Sequence, residues 1–204
     1  MTLAALPYGD RAWLIECPGD PVALAQWLMG LAWAGRPEVV VGARTCLLRF
    51  AGPAPGRAAL AEILADAPAP APPSTAGAQV VTIGVRYDGE DLAAVADLAG
   101  LTVAAVVALH SGATYRVDFL GFAPGFAYLS GLPRALHLPR RSVPRIRVPA
   151  GAVAIADRYS AVYPSSSPGG WHLLGTSGEW LFDVERQPPS RLRPGALVRF
   201  EGLP

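Results

Sequence analysis

The sequence predicts an α+β domain followed by a mainly β domain, and three observations carry that prediction. Patterned segments in residues 1–66 run in the order β-α-β-β-α. A Pro/Ala-rich stretch at residues 67–78 then interrupts the chain. Beyond Tyr115, short apolar runs alternate with Pro and Gly about every ten residues, the spacing of a β-barrel or sandwich.

The elements follow in order. "RAWLIEC" reads as a strand. "PVALAQWLMGLAWAG" opens on Pro21, carries apolar residues at helical spacing and stops at Gly35, which predicts a helix. "PEVVVGA" and "TCLLRF" predict two strands, and "GRAALAEILAD" a second helix. This order suggests a ferredoxin-like α+β sandwich in which Trp13, Trp27 and Trp33 pack the core. "DAPAPAPPSTAGAQ" cannot continue a helix and favours extended chain, so it is read as a linker. The second domain, residues 79–204, begins with the alternating strand "VVTIGVRY". "DGEDLAAVADLAG" predicts a helix with acidic residues in its first turn, and "LTVAAVVALHSG" a helix capped by Thr102. Strands are expected at "YRVDFLGF", "RIRVP", "AVAIAD", "AVYPS", "WHLLG", "EWLFDV" and "ALVRF".

Composition excludes several chemistries. The chain is 51% hydrophobic with a formal net charge of +1, enough to bury a core and too balanced for a nucleic-acid binder. No apolar run is long enough to span a bilayer, and the first residues lack a signal-peptide pattern, so a cytoplasmic protein without membrane contact is expected. The sequence contains no lysine and no asparagine. A P-loop, a lysine Schiff base and a lysine-borne biotin are therefore impossible, and an anion must be held by Arg, by backbone N–H groups or by a partner. Cys17 and Cys46 lie in apolar segments and read as buried free thiols. His110, His137 and His172 show no metal-ligand spacing, so no metal site is expected.

Three segments are candidates for chemistry. In "LGFAPGFAYLSGLP", Pro124 and Gly125 suit the corners of a tight turn, and Phe122, Phe126 and Tyr128 share a face if extended. The turn is either a barrel corner plugged by aromatics or a backbone surface brought close to a ligand or partner. "LPRRSVPRIRVPAG" places Arg140, Arg141, Arg145 and Arg147 in a proline-stiffened run, with Arg145 and Arg147 on one strand face. It is either an anion-binding edge or a solvated one. "YPSSSPGGWHLLG" repeats the turn device at Pro168, Gly169 and Gly170, ahead of Trp171 and His172. Its serines sit in no GxSxG elbow, so His172 reads as a polar group lining a cleft or as a hydrogen-bonded barrel residue.

"VDFLGFAPGFAYLSGLP", "LHLPRRSVPRIRVPAGAVAI" and "YPSSSPGGWHLLGTS", with "LRPGALVRF" near the end, resemble the KipI family, known as the B subunit of 5-oxoprolinase or as allophanate hydrolase subunit 1. The resemblance is specific from about Val80 to Phe200. The family's PGF motif falls on Pro124, Gly125 and Phe126, its PR…PR…VPAG motif on Arg140, Arg145, Pro149 and Gly151, and its SPGGW motif on Ser167 to Trp171. Ala152 and Ala196 stand where the family often carries Ser and Asp. The resemblance implies a cyclophilin-like β-barrel for residues 79–204 and a role as one component of an ATP-dependent 5-oxoprolinase, inactive alone. It implies a KipA-type partner (the C subunit), a LamB/YcsF-type partner (the A subunit), and ATP with Mg²⁺ used by the complex without a P-loop. Its alternatives are a KipI-type inhibitor of a histidine kinase and a component of an allophanate hydrolase or urea carboxylase-like complex. Arg140, Arg145, Arg147 and His172 are then the expected substrate and anion ligands. Phe122, Pro124, Gly125, Phe126, Tyr128, Gly169, Gly170 and Trp171 are the expected wall of a shared site. The catalytic residue itself is not identifiable from the sequence.

Overall fold

A computed structural model describes residues 3–75 and 77–204. The chain divides into two units, residues 1–76 and 77–204.

The first unit holds strands β1 (Ala5–Pro7), β2 (Ala12–Glu16), β3 (Glu38–Val41) and β4 (Thr45–Arg49), with helices α1 (Pro21–Gly30) and α2 (Arg57–Ala65). The strands form an antiparallel sheet in the order β1-β2-β4-β3. β1 was not expected from the sequence; it pairs beside β2 and supplies the edge strand. Asp20 caps α1, its carboxylate accepting the Val22 N–H at 3.2 Å, and Pro21 takes a first-turn position that needs no N–H donor. The helix is shorter than expected. Leu31 turns extended, and the Trp33 indole N–H donates back to the Leu28 carbonyl at 2.8 Å, so Trp33 belongs to a loop. Trp13, Ile15, Leu28, Leu48, Leu60 and Leu64 form the core, each large side chain contributing roughly 1.5–3 kcal/mol by burial. Cys46 and Cys17 are free buried thiols, and burial pushes the Cys46 thiol up to about 12. The Pro/Ala-rich residues 67–75 form no helix or strand, and Pro70 packs 3.0 Å from where a Gly19 Cβ would stand.

The second unit is built on a seven-stranded mixed sheet. Its strands are β5 (Val80–Val85), β6 (Thr114–Leu120), β7 (Ala127–Ser130), β9 (Ala152–Ala156), β10 (Tyr159–Val162), β12 (His172–Thr176) and β13 (Leu197–Gly202), in the order β12-β9-β10-β7-β6-β13-β5. Only β13 and β5 pair in parallel. The sheet curls until its edges meet: Arg86, just past β5, and Thr176, at the end of β12, exchange two backbone hydrogen bonds of 2.8 Å. The result is a nearly closed barrel. A separate two-stranded ribbon pairs β8 (Arg145–Val148) with β11 (Ser167–Gly169). Helices α3 (Leu92–Ala99) and α4 (Val103–Gly112) meet at 94°, and Thr102 caps α4 as expected, accepting the Ala105 N–H at 3.2 Å. Among the described residues no single helix is long and apolar enough to cross a membrane.

Several local expectations give way. The acidic residues of "DGED" precede α3 instead of filling its first turn. "EWLFDV" forms no strand, only the isolated bridge between Phe182 and Ser190. "SPG" is the strand β11 and not a turn, which a ribbon edge permits because Pro168 there loses no ladder bond.

Strand β9 is buried along its whole length and serves two cores by alternation. Val153 and Ile155 join the larger core with Val106, Tyr115, Leu129 and Val198. Ala152, Ala154 and Ala156 join a second core dominated by Phe126, Tyr163 and Trp171. The small residues on that face leave room for the aromatic rings.

Candidate functional site

The "FAPGF" stretch folds as its residues require. Ala123 to Phe126 form a β-turn closed by the Phe126 N–H on the Ala123 carbonyl at 3.0 Å, with Gly125 at φ +78°. A Cβ on Gly125 would also lie 2.5 Å from the Phe182 Cβ. Gly125→Ala is therefore expected to lower the unfolding free energy by about 2 kcal/mol, measured by urea denaturation; an unchanged midpoint would show that this turn is not held. Phe122 is held at φ +70°, uncommon for a bulky residue, and its ring is 63% exposed.

The aromatics separate into two groups. Phe126 and Trp171, expected to wall an open site, are sealed at 1% and 5% exposure. Their rings sit edge to face at 5.5 Å, with Tyr163 5.1 Å from Phe126. They back the surface and do not form it, because the alanines of β9 leave space that only large rings fill. Phe122 and Pro124 are exposed and Tyr128 is half-buried, its ring 5.2 Å from Phe126. Gly169 pairs with Arg145 across the ribbon, and the Gly170 carbonyl accepts the Arg141 N–H at 2.8 Å.

The arginines also separate. Arg145, expected as an open cation, is engaged within the fold: it donates to Asp91 Oδ1 at 2.8 Å and to Glu90 Oε2 at 3.2 Å. Arg141 donates to the same Asp91 oxygen at 2.6 Å. The second Asp91 oxygen accepts the Leu173 N–H at 2.8 Å, while the Asp91 N–H donates to the Leu173 carbonyl at 3.1 Å. One carboxylate thus ties the acidic loop to β12 and to the arginine segment. Burial alone would push the Asp91 carboxyl up. Hydrogen bonds from Arg145 and from the Leu173 N–H, with the charges of Arg145 and Arg141, outweigh burial and hold it below its ordinary range. Gly89 makes the approach possible, since a Cβ there would fall 2.3 Å from the Leu173 carbonyl oxygen.

His172 is buried, its Nε2–H donating to the Pro139 carbonyl at 2.9 Å. Its Nδ1, Arg145 Nη1, Arg141 Nε and the Ser167 hydroxyl are buried with no hydrogen-bond partner among the described residues. Arg140 and Arg147 remain on the surface. Arg147 Nε donates to Ser166 at 3.1 Å, and Arg140 has no hydrogen-bond or ion-pair partner among the described residues. Ile146, between Arg145 and Arg147, is 93% exposed, and Val143 is 71% exposed. The arginine segment therefore presents two exposed guanidiniums, Arg140 and Arg147, beside exposed Val143 and Ile146, with Arg141 and Arg145 held by Asp91. Asp91 and Glu90 were missed from sequence; the signal was an acidic pair ahead of a helix in a chain whose only strong cations are arginines. Ala152 and Ala196, the two departures from the family pattern, are both buried.

Among the described residues no cluster of three or more His, Cys, Asp or Glu could hold a metal, and the nearest acids, Asp88, Glu90 and Asp91, already bind Thr176, Arg145 and Arg141. These residues do not fit a Mg²⁺ site.

Residues 3–192 match the family model "Carboxyltransferase domain, subdomain C and D". The chain is 54% identical over 112 residues to the B subunit of 5-oxoprolinase from Escherichia coli O157:H7, a match that covers 55% of this chain and 51% of that protein. It therefore spans only about half the length of that relative. The crystal structure of TTHA0988 superposes with a TM-score of 0.81 at 40% identity, over 95% of this chain and 40% of that one. The Kluyveromyces lactis urea carboxylase superposes with a TM-score of 0.74 at 18% identity, over 99% of this chain and 22% of that one, a likeness of fold alone.

Proposed function

The chain belongs to the family of carboxyltransferase subdomains C and D, and from that premise we propose that it is one component of an ATP-dependent 5-oxoprolinase that completes its site against a KipA-type partner. The similarity to the B subunit of 5-oxoprolinase carries this reading. The surface chemistry supports it. The substrate is a cyclic amide bearing a carboxylate, and ATP brings phosphates; both call for guanidinium forks on an accessible edge. Arg140 and Arg147 have that exposure, while Arg145 and Arg141 hold the segment in place through Asp91. Phe122, Val143 and Ile146 supply the apolar contact area for the partner.

In this reading ATP drives an otherwise uphill ring opening by phosphorylating the amide oxygen, with release of ADP. Water then adds to the activated carbon and the C–N bond breaks, the ring nitrogen leaving as the amine to give an acyl phosphate; a second water releases phosphate and gives glutamate. Mg²⁺ would be held by the nucleotide and the partner chains, since the acids here are already engaged. A LamB/YcsF-type protein completes the assembly, which we place in the cytoplasm. The chain is inactive alone because its cations line only one side of the site. Residues 1–66 and 79–204 are taken as separate domains joined by the Pro/Ala-rich segment, the second a cyclophilin-like barrel. The first is taken as ferredoxin-like in its sheet order, with β1 in place of the usual last strand.

Reconstitution tests the proposal. The chain, a KipA-type and a LamB/YcsF-type protein, ATP, Mg²⁺ and 5-oxoproline are expected to yield glutamate, and omission of the chain to abolish it. Equal glutamate without the chain would end the proposal. Phe122→Ala is expected to weaken capture of the KipA-type partner about tenfold while shifting the urea midpoint little, because most of its ring is already in water. Unchanged capture would remove Phe122 from the interface.

A further inference from the structure

The first unit carries a groove that the proposed function leaves unused. One hollow of about 560 Å³ is lined mainly by apolar groups, including Trp33, Phe50, Pro53, Pro55 and Ile63. A second of about 490 Å³ is lined by Arg11, Arg36, Glu38 and Arg49. The two share Arg36, Phe50 and Ala51, so they form one groove with an apolar end and a cationic end.

The charges in this groove are unequal in availability. Arg49 is bound to Glu38, and Arg11 lies 3.9 Å from Asp10. Arg36, where the hollows join, has no hydrogen-bond or ion-pair partner among the described residues. The Trp33 indole N–H is spent on the Leu28 carbonyl, so the ring offers the groove apolar surface without a competing donor. Trp33 stands edge-on to Phe50 with centroids 5.6 Å apart, which fixes one ring against the other. A Cβ built on Gly35 or Gly52, both in the lining, meets nothing within 4 Å. Neither glycine position is crowded by a neighbouring side chain.

We propose that this groove binds a small molecule with a planar apolar ring and an anionic tail, the ring on Trp33 and Phe50 and the anion on Arg36. The chemistry decides the class. Rings of this size bury well against aromatic walls. A guanidinium without an internal partner binds carboxylate or phosphate bidentately. In a chain without lysine, an arginine is the side-chain cation for the task. A nucleoside monophosphate and an aromatic carboxylate share this chemistry. The proposal is independent of the 5-oxoprolinase reading, since the groove lies wholly within residues 11–63.

Calorimetric titration of the full chain tests it, with AMP, indole-3-acetate, adenosine and inorganic phosphate as probes. AMP, indole-3-acetate or both are expected to bind with a dissociation constant below about 1 mM, and adenosine and phosphate at least about tenfold more weakly. Binding of AMP alone assigns the nucleotide source, and of indole-3-acetate alone the aromatic acid. Arg36→Glu is expected to weaken the bound anion at least about tenfold with an unchanged urea midpoint, because Arg36 is exposed. Gly52→Leu, which adds a bulky side chain to the lining, is expected to do the same. The proposal is overturned if neither anion binds, if adenosine binds as tightly as AMP, or if both variants bind like the wild type.

Discussion

Asp91→Ala is expected to cost about 3–5 kcal/mol of unfolding free energy, the penalty for stranding buried charge. The Asp91 side chain is 4% exposed, and it answers two guanidiniums, Arg145 at 17% and Arg141 at 33% exposure. Its removal leaves Arg141 facing no counter-charge and Arg145 only Glu90, and strips the Leu173 N–H of its acceptor. Arg145 retains Glu90, but that carboxylate is 75% exposed and screened, so it does not compensate. Urea denaturation of wild type and variant gives the difference directly. The double variant with Arg145→Ala is expected to lose less than the sum of the two single changes, since each removes the same pair. A loss below about 1 kcal/mol would show that Asp91 does not tie the acidic loop to the arginine segment.

His110 carries the second large effect. Its ring is fully buried, stacked on Phe200 at 4.5 Å. The Ser160 hydroxyl donates to the Ala154 carbonyl at 3.2 Å, so it accepts from His110 Nε2–H at 2.9 Å; Nδ1 then accepts from the Tyr87 hydroxyl at 2.8 Å. The network is satisfied only by a neutral ring, and burial pulls the His110 pKa from 6.5 down to about 3. Between those values the unfolded chain binds a proton that the folded chain refuses. Stability from this residue is complete above about pH 6.5 and declines as pH falls toward 3, by up to about 1.4 kcal/mol per unit. His110→Phe keeps the ring but orphans the Tyr87 hydroxyl and removes the donor to Ser160, at about 2–3 kcal/mol at pH 7. It is also expected to flatten the stability profile between pH 6 and pH 4.5, a window above the range in which Asp91 titrates. A variant profile as steep as wild type would place the pH dependence elsewhere.

How much of this was legible follows from sequence separation. The Ala123–Phe126 turn was readable because Pro124 and Gly125 determine it locally. Thr102 was readable as a cap for the same reason. β1 was missed because a three-residue strand ending in Pro7 has no alternation to detect; only its partner β2 makes it a strand. The end of α1 was misplaced because apolar residues continue at helical spacing through Trp33, while the chain turns to bring that ring against Phe50. The arginine segment was identified, but its internal partition was hidden. Asp91 lies 50 residues from Arg141 and 82 from Leu173, and nothing local to either segment announces the pairing. Burial of Phe126 and Trp171 was likewise a property of β9, whose alternate alanines make the room.

One variant in the reconstituted complex bears most directly on the division of labour among the arginines. Arg140→Ala leaves the Asp91 cluster and the apolar surface intact, and glutamate production is expected to fall at least about tenfold while the KipA-type partner is still captured with wild-type affinity. Wild-type turnover from that variant, or a loss explained wholly by failed assembly, would contradict the claim that the exposed guanidinium edge acts on substrate.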